Sequence, residues 1–330
     1  MSTDDIEFQH LQDIPLIERA RILMDRGEHE RAVGCLREAL RSDSEDIDAW
    51  LKLSTALQEA GEPAEAMDAC EKAYELIPED DKEEIDPLVQ KLWLFSEQGA
   101  TEKVASLVDE ALLAIGRSSE KWYRLGSWLY EFEEYAQAIR LYDRALCADP
   151  DYFDAMDGKI EALRAAGRLT ELWIYLDNLI ARYPRDATVR FERGRLMYEF
   201  ELYSEAEENL WFAVNFDPES IEAQHYHALA LWRLGNAEQA QALLRETARE
   251  ADYDYELWSD LGLITMETDK TARKVEAFFY LNKALRMCPH SVKVLSNKAR
   301  ALHLMGRDEE ANDLKARIVK QAHEQQEGFP

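Results

Sequence analysis

A pattern of about 34 residues repeats nine times along this chain, and this period constrains the possible folds more than any other feature of the sequence. The repeats begin at residues 13, 47, 85, 119, 153, 187, 221, 255 and 292. Positions 4, 7, 8 and 11 of each repeat are apolar or small, which is the spacing of one face of an α-helix. Positions 20, 24 and 27 form such a face of a second helix, with a turn near position 15. Each repeat therefore predicts a helical hairpin, and the whole chain predicts an all-α fold.

Two repeats show the residue pattern most clearly. The second repeat contains, in order, Trp50, Leu53, Ser54, Leu57, Gly61, Ala66, Cys70, Ala73 and Pro78. The fourth repeat contains Trp122, Leu125, Gly126, Leu129, Ala138, Tyr142, Ala145 and Pro150. This order resembles the signature of the tetratricopeptide repeat (TPR) family, and the resemblance extends over nearly the whole chain. It implies a right-handed superhelical solenoid of about nine TPR hairpins.

A solenoid grows by stacking and needs no single core, so we expect one continuous array rather than two domains. The array would span residues 13–323, with an N-terminal tail at residues 1–12 and a C-terminal tail at residues 324–330. Extra residues at 79–86 and near 269–274 fall in connections between helices, where they leave helix packing intact.

The fifth repeat matches the pattern least well. It has large residues where small ones are expected, namely Ile160, Leu172 and Leu179. We expect either that its hairpin is splayed or that its register differs from the one given above.

The net charge limits the classes of partner. The chain carries 67 acidic and 39 basic residues, with a formal net charge of −28. Nucleic acids and anionic lipid surfaces are therefore poor partners for the molecule as a whole, and we expect no nucleic-acid binding and no direct membrane insertion. The acidic excess is largest in residues 1–118, where it favours either solubility or the docking of a basic partner.

The cysteines and the N-terminus indicate a reducing compartment. Cys35, Cys70, Cys147 and Cys288 lie a repeat or more apart, without a C-x-x-C pair or a nearby histidine cluster. No apolar run typical of a signal peptide follows Met1. We expect a cytoplasmic protein with free thiols, without a metal or other cofactor.

Patterns typical of enzymes are missing from the sequence. Most glycines occupy position 15 or position 8 of a repeat, so no phosphate-binding loop can be assembled. His225 and His227 are two residues apart on a predicted helix and point to different sides, which disfavours a shared metal ion. We therefore expect no catalytic residues and no enzymatic activity.

A second stripe on the first helices, at positions 2, 5, 9 and 12, is rich in aromatic and arginine side chains. The TPR resemblance implies that this stripe, with position 13, lines a concave inner surface. Aromatic residues and arginine are typical of binding hot spots, and arginine also forms forked hydrogen bonds to carboxylates. The candidate residues of a peptide-binding groove are Trp93, Tyr123, Tyr130, Arg164, Phe191, Arg195, Tyr198, His225, Leu229, Trp232 and Arg233.

Two interpretations of this stripe remain open, because the same side chains could pack against the neighbouring hairpin or contact a ligand. The leading hypothesis is a non-enzymatic adaptor or scaffold that binds a peptide segment or helix of a partner protein in its groove. The alternative is a regulatory, substrate-recruiting or assembly or secretion chaperone subunit that docks a basic partner on its acidic N-terminal surface. A chaperone-tail clamp of the TPR kind is disfavoured, because the single asparagine at position 6, Asn297, is preceded by Ser259 and Leu263 in the clamp positions.

Overall fold

The computed structural model describes residues 14–77, 86–114, 116, 118–268 and 274–327. In these residues the chain forms eighteen α-helices and no strand. The helices are α1 (Leu16–Asp25), α2 (His29–Ser42), α3 (Ile47–Glu59), α4 (Pro63–Leu76), α5 (Asp86–Glu97), α6 (Thr101–Ala114), α7 (Ser119–Glu131), α8 (Tyr135–Ala148), α9 (Phe153–Ala165), α10 (Leu169–Arg182), α11 (Ala187–Glu199), α12 (Tyr203–Phe216), α13 (Ile221–Arg233), α14 (Ala237–Glu250), α15 (Tyr255–Thr268), α16 (Lys274–Met287), α17 (Val292–Leu304) and α18 (Asp308–Glu327).

The helices follow one another two by two, as hairpins 1 to 9 in chain order, and the predicted all-α fold of about nine helical hairpins is confirmed. The predicted N-terminal tail, nearly all of the 79–86 segment and the insertion near 269–274 lie outside the described residues. At the other end, α18 continues to Glu327, so the predicted C-terminal tail is helical over residues 324–327.

The chain divides into two compact units, unit 1 (Met1–Leu169) and unit 2 (Thr170–Pro330). The fifth hairpin, the weakest match to the repeat, contributes α9 to unit 1 and most of α10 to unit 2. Within unit 1, the first helices of consecutive hairpins pack together from α1 to α9. Within unit 2, α11 packs against α13 and α15 packs against α17. A single continuous array over residues 13–323 stays a prediction.

A recurring hydrogen bond attaches each of several first helices to the loop before it. Trp50, Trp122 and Trp258, all at position 4, donate their indole N–H to the carbonyl oxygen six residues earlier, at 2.9, 3.1 and 3.1 Å. Arg190 and Gln224 are also at position 4, and each donates to the carbonyl oxygen six residues before it. The side chain at position 4 therefore packs in the core and also donates a hydrogen bond that satisfies a loop carbonyl.

Cys70 lies in the core of unit 1 and is not solvent-accessible. Its thiol donates to the carbonyl oxygen of Pro87 at 3.4 Å, and burial raises its pKa to about 12. This thiol therefore stays protonated and packs as a small apolar group.

Glycine lets helices of unit 1 approach the ring of Tyr142 from two sides. A Cβ atom at Gly126 in α7 would lie 2.7 Å from Cε1 of this tyrosine, and a Cβ atom at Gly158 in α9 would lie 2.7 Å from its Cζ. Tyr142 is only 2% exposed, so its ring has little room to move away. Any side chain at these two positions would push the helices apart.

Replacing Gly158 by alanine is expected to lower the free energy of unfolding by roughly 1–3 kcal/mol, because the added methyl group overpacks a rigid contact. Gly34→Ala is the matched control, since Gly34 is also helical but a Cβ atom there would have no neighbour within 4 Å. The control should be neutral or stabilising by up to about 1 kcal/mol from helix propensity. Urea denaturation followed by circular dichroism measures both; equal effects would contradict the close contact at Gly158.

None of the helices in the described ranges combines the length and apolar character needed to cross a membrane.

Candidate functional site

The candidate groove residues all lie on first helices or at their ends, and they fall into two groups. In unit 1 they are Trp93 on α5, Tyr123 and Tyr130 on α7, and Arg164 on α9. In unit 2 they are Phe191, Arg195 and Tyr198 on α11, and His225, Leu229, Trp232 and Arg233 on α13.

Side chains in unit 2 contact the next hairpin in a fixed register. The fifth residue of one first helix meets the sixth residue of the following first helix. The pairs are Phe191 with Tyr226 (ring centroids 5.8 Å apart), His225 with Asp260 (2.9 Å) and Ser259 with Asn297 (3.0 Å). These side chains therefore join one hairpin to the next, as the packing interpretation of the stripe predicts.

A second register joins the ends of the same helices. The hydroxyl of Tyr198, the twelfth residue of α11, accepts a hydrogen bond from Nε of Arg233, the thirteenth residue of α13, at 3.4 Å. One hairpin later, Trp232 donates its indole N–H to Glu267 at 3.0 Å. Position 12 of one repeat thus meets position 13 of the next.

Arg233 is held by aromatic rings rather than by a carboxylate. Its guanidinium carbon lies 5.0 Å from the ring centroid of Trp232 and 5.6 Å from that of Tyr203. The side chain is exposed, and no carboxylate of the described residues lies within ion-pair distance of it. In a chain with 67 acidic residues, this leaves a positioned guanidinium whose terminal nitrogens can bind a ligand.

Arg195 and Arg300 of unit 2 also lie against rings, but both have acidic partners. Arg195 lies 5.9 Å from the ring centroid of Tyr226, and its Nε is 3.5 Å from Glu199. Arg300 lies 5.6 Å from the ring centroid of Trp232 and 2.5 Å from Glu267. We call the residues Phe191, Arg195, Tyr198, Tyr226, Trp232, Arg233 and Arg300 the arginine-aromatic surface.

A cavity of about 130 Å³ adjoins this surface. Phe191 lines it together with Thr188 on α11 and Ala223 on α13. Asp217, Ser220 and Glu222 also line it, so a small side chain of a ligand that carries a hydrogen-bond donor would fit such a cavity.

Asp260 is the centre of a buried polar network beneath the same helices. Its carboxylate is 2.9 Å from Nε2 of His225, 3.0 Å from Nζ of Lys293 and 2.9 Å from Nδ2 of Asn297. Burial alone would raise the pKa of Asp260, but the hydrogen bond from His225 and the charge of Lys293 outweigh burial and hold the pKa below its usual value. The network therefore contains an ionised carboxylate that links hairpins 7, 8 and 9.

The two histidines of α13 point to different partners. His225 contacts Asp260, whereas Nε2 of His227 lies 3.3 Å from Glu207 on α12. His225 and Leu229 are both buried, at 8% exposure, so most of each side chain is out of reach of a ligand. Across the described ranges, no three or more histidine, cysteine, aspartate or glutamate side chains are grouped so that they could hold a metal ion.

In unit 1 the candidate residues are half-buried, and Trp93 packs against the core. The ring of Tyr123 lies 5.6 Å from that of Tyr152 and 6.0 Å from that of Tyr142. The ring of Tyr130 lies 5.4 Å from that of Tyr135. Rings on α7 therefore pack against second-helix and loop residues, yet keep exposed edges.

A larger cavity of unit 1 lies in a region where no sequence pattern predicted a site. It has a volume of about 840 Å³ and opens between α2 and α4. Trp50 on α3 contributes to its floor, Arg37 and Arg41 come from α2, and Glu71 and Glu75 come from α4. The ion pair of Arg37 with Glu65 spans the space between the two helices at 2.5 Å.

The sequence analysis did not include Tyr226, Asp260 and Arg300 among the site residues. Tyr226 and Asp260 are at position 6, outside the stripe at positions 2, 5, 9 and 12, whereas Arg300 is at position 9 of that stripe but in a repeat from which no residue was chosen. The available signal was their spacing, since Tyr226 follows Phe191 by 35 residues and Asp260 follows His225 by 35 residues.

Comparison with known families agrees with this architecture. A family model described as "Tetratricopeptide repeat" matches residues 17–81 and 123–171, and a second model with the same description matches residues 221–246. No curated protein matches the chain.

Several solved structures are similar to the chain. A thermophilic TPR protein of Thermus thermophilus is 22% identical over 56% of this chain and 99% of its own, with a TM-score of 0.45. Yeast Tom70 is 15% identical over 90% of this chain and 62% of its own, with a TM-score of 0.47. Human IFIT1, solved as a dimer with m7Gppp-AAAA, is 14% identical over 83% of this chain and 68% of its own, with a TM-score of 0.47. No ligand transfers to this chain from such distant similarities.

Proposed function

The chain belongs to the tetratricopeptide repeat family, and from this premise we propose that it is a non-enzymatic scaffold whose arginine-aromatic surface binds a segment of a partner protein. The proposal is based mainly on the surroundings of the Arg233 side chain. This guanidinium is exposed, stacked on rings and without an acidic partner among the described residues. Its place of action in this proposal is the cytoplasm, which suits the four free thiols.

The stacking of Arg233 lowers the cost of binding. Trp232, Tyr203 and the hydroxyl of Tyr198 restrict the side chain before any ligand arrives. Less side-chain entropy is then lost when a carboxylate or carbonyl group of the ligand accepts hydrogen bonds from the terminal guanidinium nitrogens.

The rings supply the apolar part of the interaction. Phe191, Tyr198 and Trp232 keep part of their surface exposed, although each also contacts the next hairpin. A bound segment would cover those edges, and the cavity beside Phe191 would take one small side chain. The preferred ligand is therefore an extended segment or helix that carries an acceptor group near apolar residues.

We expect the double variant Trp232→Ala, Arg233→Ala to bind such segments at least tenfold more weakly, a loss of about 1.4 kcal/mol, because both residues have the character of binding hot spots. Peptides are first selected from a displayed random library on the full chain. Their dissociation constants for the native chain and the variant are then measured by fluorescence anisotropy, after circular dichroism has verified the helical content.

The matched control is the double variant Trp211→Ala, Arg249→Ala, which removes the same residue types from the exposed side of second helices α12 and α14. The control should bind as the native chain does. Failure to select any peptide, or equal losses in the two variants, would refute the proposed site.

A further inference from the structure

One short segment occurs twice in the chain with the same local geometry. Residues 130–135 read Tyr-Glu-Phe-Glu-Glu-Tyr, and residues 198–203 read Tyr-Glu-Phe-Glu-Leu-Tyr. In each copy the two tyrosine rings lie 5.4 Å apart, at interplanar angles of 59° and 61°. The fourth residue of each copy, Glu133 or Glu201, has φ near 60°. The two segments therefore form the same pair of rings at the end of a first helix.

In unit 2 this pair of rings holds a cation. The guanidinium of Arg233 lies 5.6 Å from the ring centroid of Tyr203, and its Nε donates to the hydroxyl of Tyr198. Tyr198 is on α11, the first helix of hairpin 6. Arg233 is the last residue of α13, the first helix of hairpin 7. The next repeat thus supplies an arginine to the tyrosine pair of the preceding repeat.

In unit 1 the corresponding residue has no charge. The last residue of α9 is Ala165, and α9 packs against α7 as α13 packs against α11. Ala165 is exposed, and its side chain ends at Cβ, so it cannot extend over the rings as the arginine does. Among the described residues, no cation lies over the rings of Tyr130 and Tyr135.

The contact from position 5 to position 6 is also missing between α7 and α9. In unit 2 the sixth residue of the repeat after Phe191 is Tyr226, whose ring packs against it. The equivalent residue for Tyr123 is Gly158, which has no side chain to offer. α9 therefore supplies to α7 neither of the two side chains that α13 supplies to α11; at Gly158 the ring of Tyr142 fills the space, whereas at Ala165 no arginine is present.

The electrostatic surroundings of this open position favour a cation. Burial raises the pKa of Tyr130, and the negative charges of Glu161 and Glu131 raise it further. Both glutamates are exposed and form no ion pair within the described residues. Two uncompensated carboxylates and two electron-rich ring faces attract a guanidinium more strongly than either group alone.

We propose that the Tyr130–Tyr135 pair is a binding slot for an arginine side chain of a partner protein, which takes the place that Arg233 occupies in unit 2. The proposal rests on the proposed function in one respect, namely that the ligand is a protein segment. The expected partner is a protein segment with an exposed arginine. Such a segment also fits the alternative hypothesis of a basic partner.

The test uses the full chain with ¹³C-labelled tyrosine rings, observed by NMR and assigned with Tyr→Phe variants. The probe is Nα-acetyl-arginine methylamide, and the corresponding citrulline derivative, which has the same shape without the charge, is the control ligand. We expect the arginine probe to shift the signals of Tyr130 and Tyr135, and the citrulline probe to bind at least fivefold more weakly. No shift, or equal responses to the two probes, would overturn the proposal.

Two variants test the internal comparison. Ala165→Arg should fill the slot with the chain's own arginine and weaken probe binding at Tyr130 at least tenfold, while circular dichroism shows an intact helical fold. Arg233→Ala should empty the second slot, so that Tyr198 and Tyr203 begin to respond to the probe. If Ala165→Arg leaves the response unchanged, the slot does not bind the probe as proposed.

The outcome is independent of the library selection described above. If selected peptides depend on Arg233 but the Tyr130 signal does not shift with the arginine probe, the proposed function is supported and the arginine slot is refuted. A responsive Tyr130 without any selected peptide would keep the slot and contradict the proposed function.

Discussion

Replacing Trp122 by alanine is expected to lower the free energy of unfolding of unit 1 by about 3–5 kcal/mol. This indole is 1% exposed and is among the largest fully buried side chains of the chain. Its removal leaves a cavity between α7 and the neighbouring helices, and the surrounding side chains can fill that cavity only in part. The carbonyl oxygen of Gly116, which accepts the indole N–H at 3.1 Å, also loses its donor.

Urea denaturation monitored by circular dichroism at several protein concentrations measures this loss. Trp122→Phe should fall between the native chain and the alanine variant, since it keeps most of the apolar volume but not the hydrogen bond. Trp128→Ala on the same helix is the control, because Trp128 is 44% exposed and its loss should change stability by less than about 0.5 kcal/mol. Similar effects of the two alanine variants would contradict the assignment of Trp122 to the core.

The second large effect is expected at Asp260. Asp260→Ala should lower the free energy of unfolding of unit 2 by roughly 3–5 kcal/mol, because it removes one member of a buried charge pair and leaves its partners behind. His225 and Asn297 lose their buried acceptor, and Lys293 retains only Glu256, at 2.5 Å. The links from hairpin 8 to hairpins 7 and 9 are weakened together.

The same carboxylate makes stability depend on pH. Because the pKa of Asp260 is lower in the folded chain than the usual value of about 3.9 in an unfolded chain, the folded state favours the ionised form. Its contribution is fully present above the unfolded pKa and is lost as the pH falls through the folded pKa. The stability difference between the native chain and Asp260→Ala should therefore shrink below about pH 4.

Asp252→Asn provides the control for this measurement. Asp252 also pairs with a lysine, Lys283, but its side chain is 70% exposed, and exposed pairs contribute little to stability. Urea denaturation at pH 7 and at pH 3 should show a pH-dependent difference for Asp260→Ala and almost none for Asp252→Asn. If the difference in free energy of unfolding between the native chain and Asp260→Ala stays constant from pH 7 to pH 3, the variant loses stability through packing alone, and the charge of Asp260 does not contribute.

The sequence predicted the helices well because their pattern is local. Positions 4, 7, 8 and 11 describe one face of one helix, and Trp122, Leu125, Gly126 and Leu129 are all buried as that face requires. The nine hairpins follow from repetition of this pattern. The division of the chain into two compact units at the start of α10 was not predicted, although the large residues of the fifth repeat marked that hairpin as unusual.

The candidate site was harder to predict because its contacts join different repeats. Nothing within one repeat indicates that Tyr198 meets Arg233 or that His225 meets Asp260. The sequence therefore assigned His225 to the groove, whereas the structure buries it against a carboxylate. The significance of Gly158 was missed for the same reason, since the ring that fills its space, Tyr142, belongs to the preceding repeat. The assignment of the groove residues as a binding site stays a prediction.

The contact of position 12 with position 13 of the next repeat has a consequence for how such a protein can be recombined. The hairpin is the repeating structural unit, but the rings and the cation of the position formed by Tyr198, Tyr203 and Arg233 come from two successive hairpins. A hairpin that is moved or duplicated on its own therefore carries half of one position and half of another. A crossover anywhere between α11 and α13, inside hairpin 6 or at the boundary between repeats, separates Tyr198 from Arg233, so exchanging segments between chains of this kind divides one such position at every junction of this type.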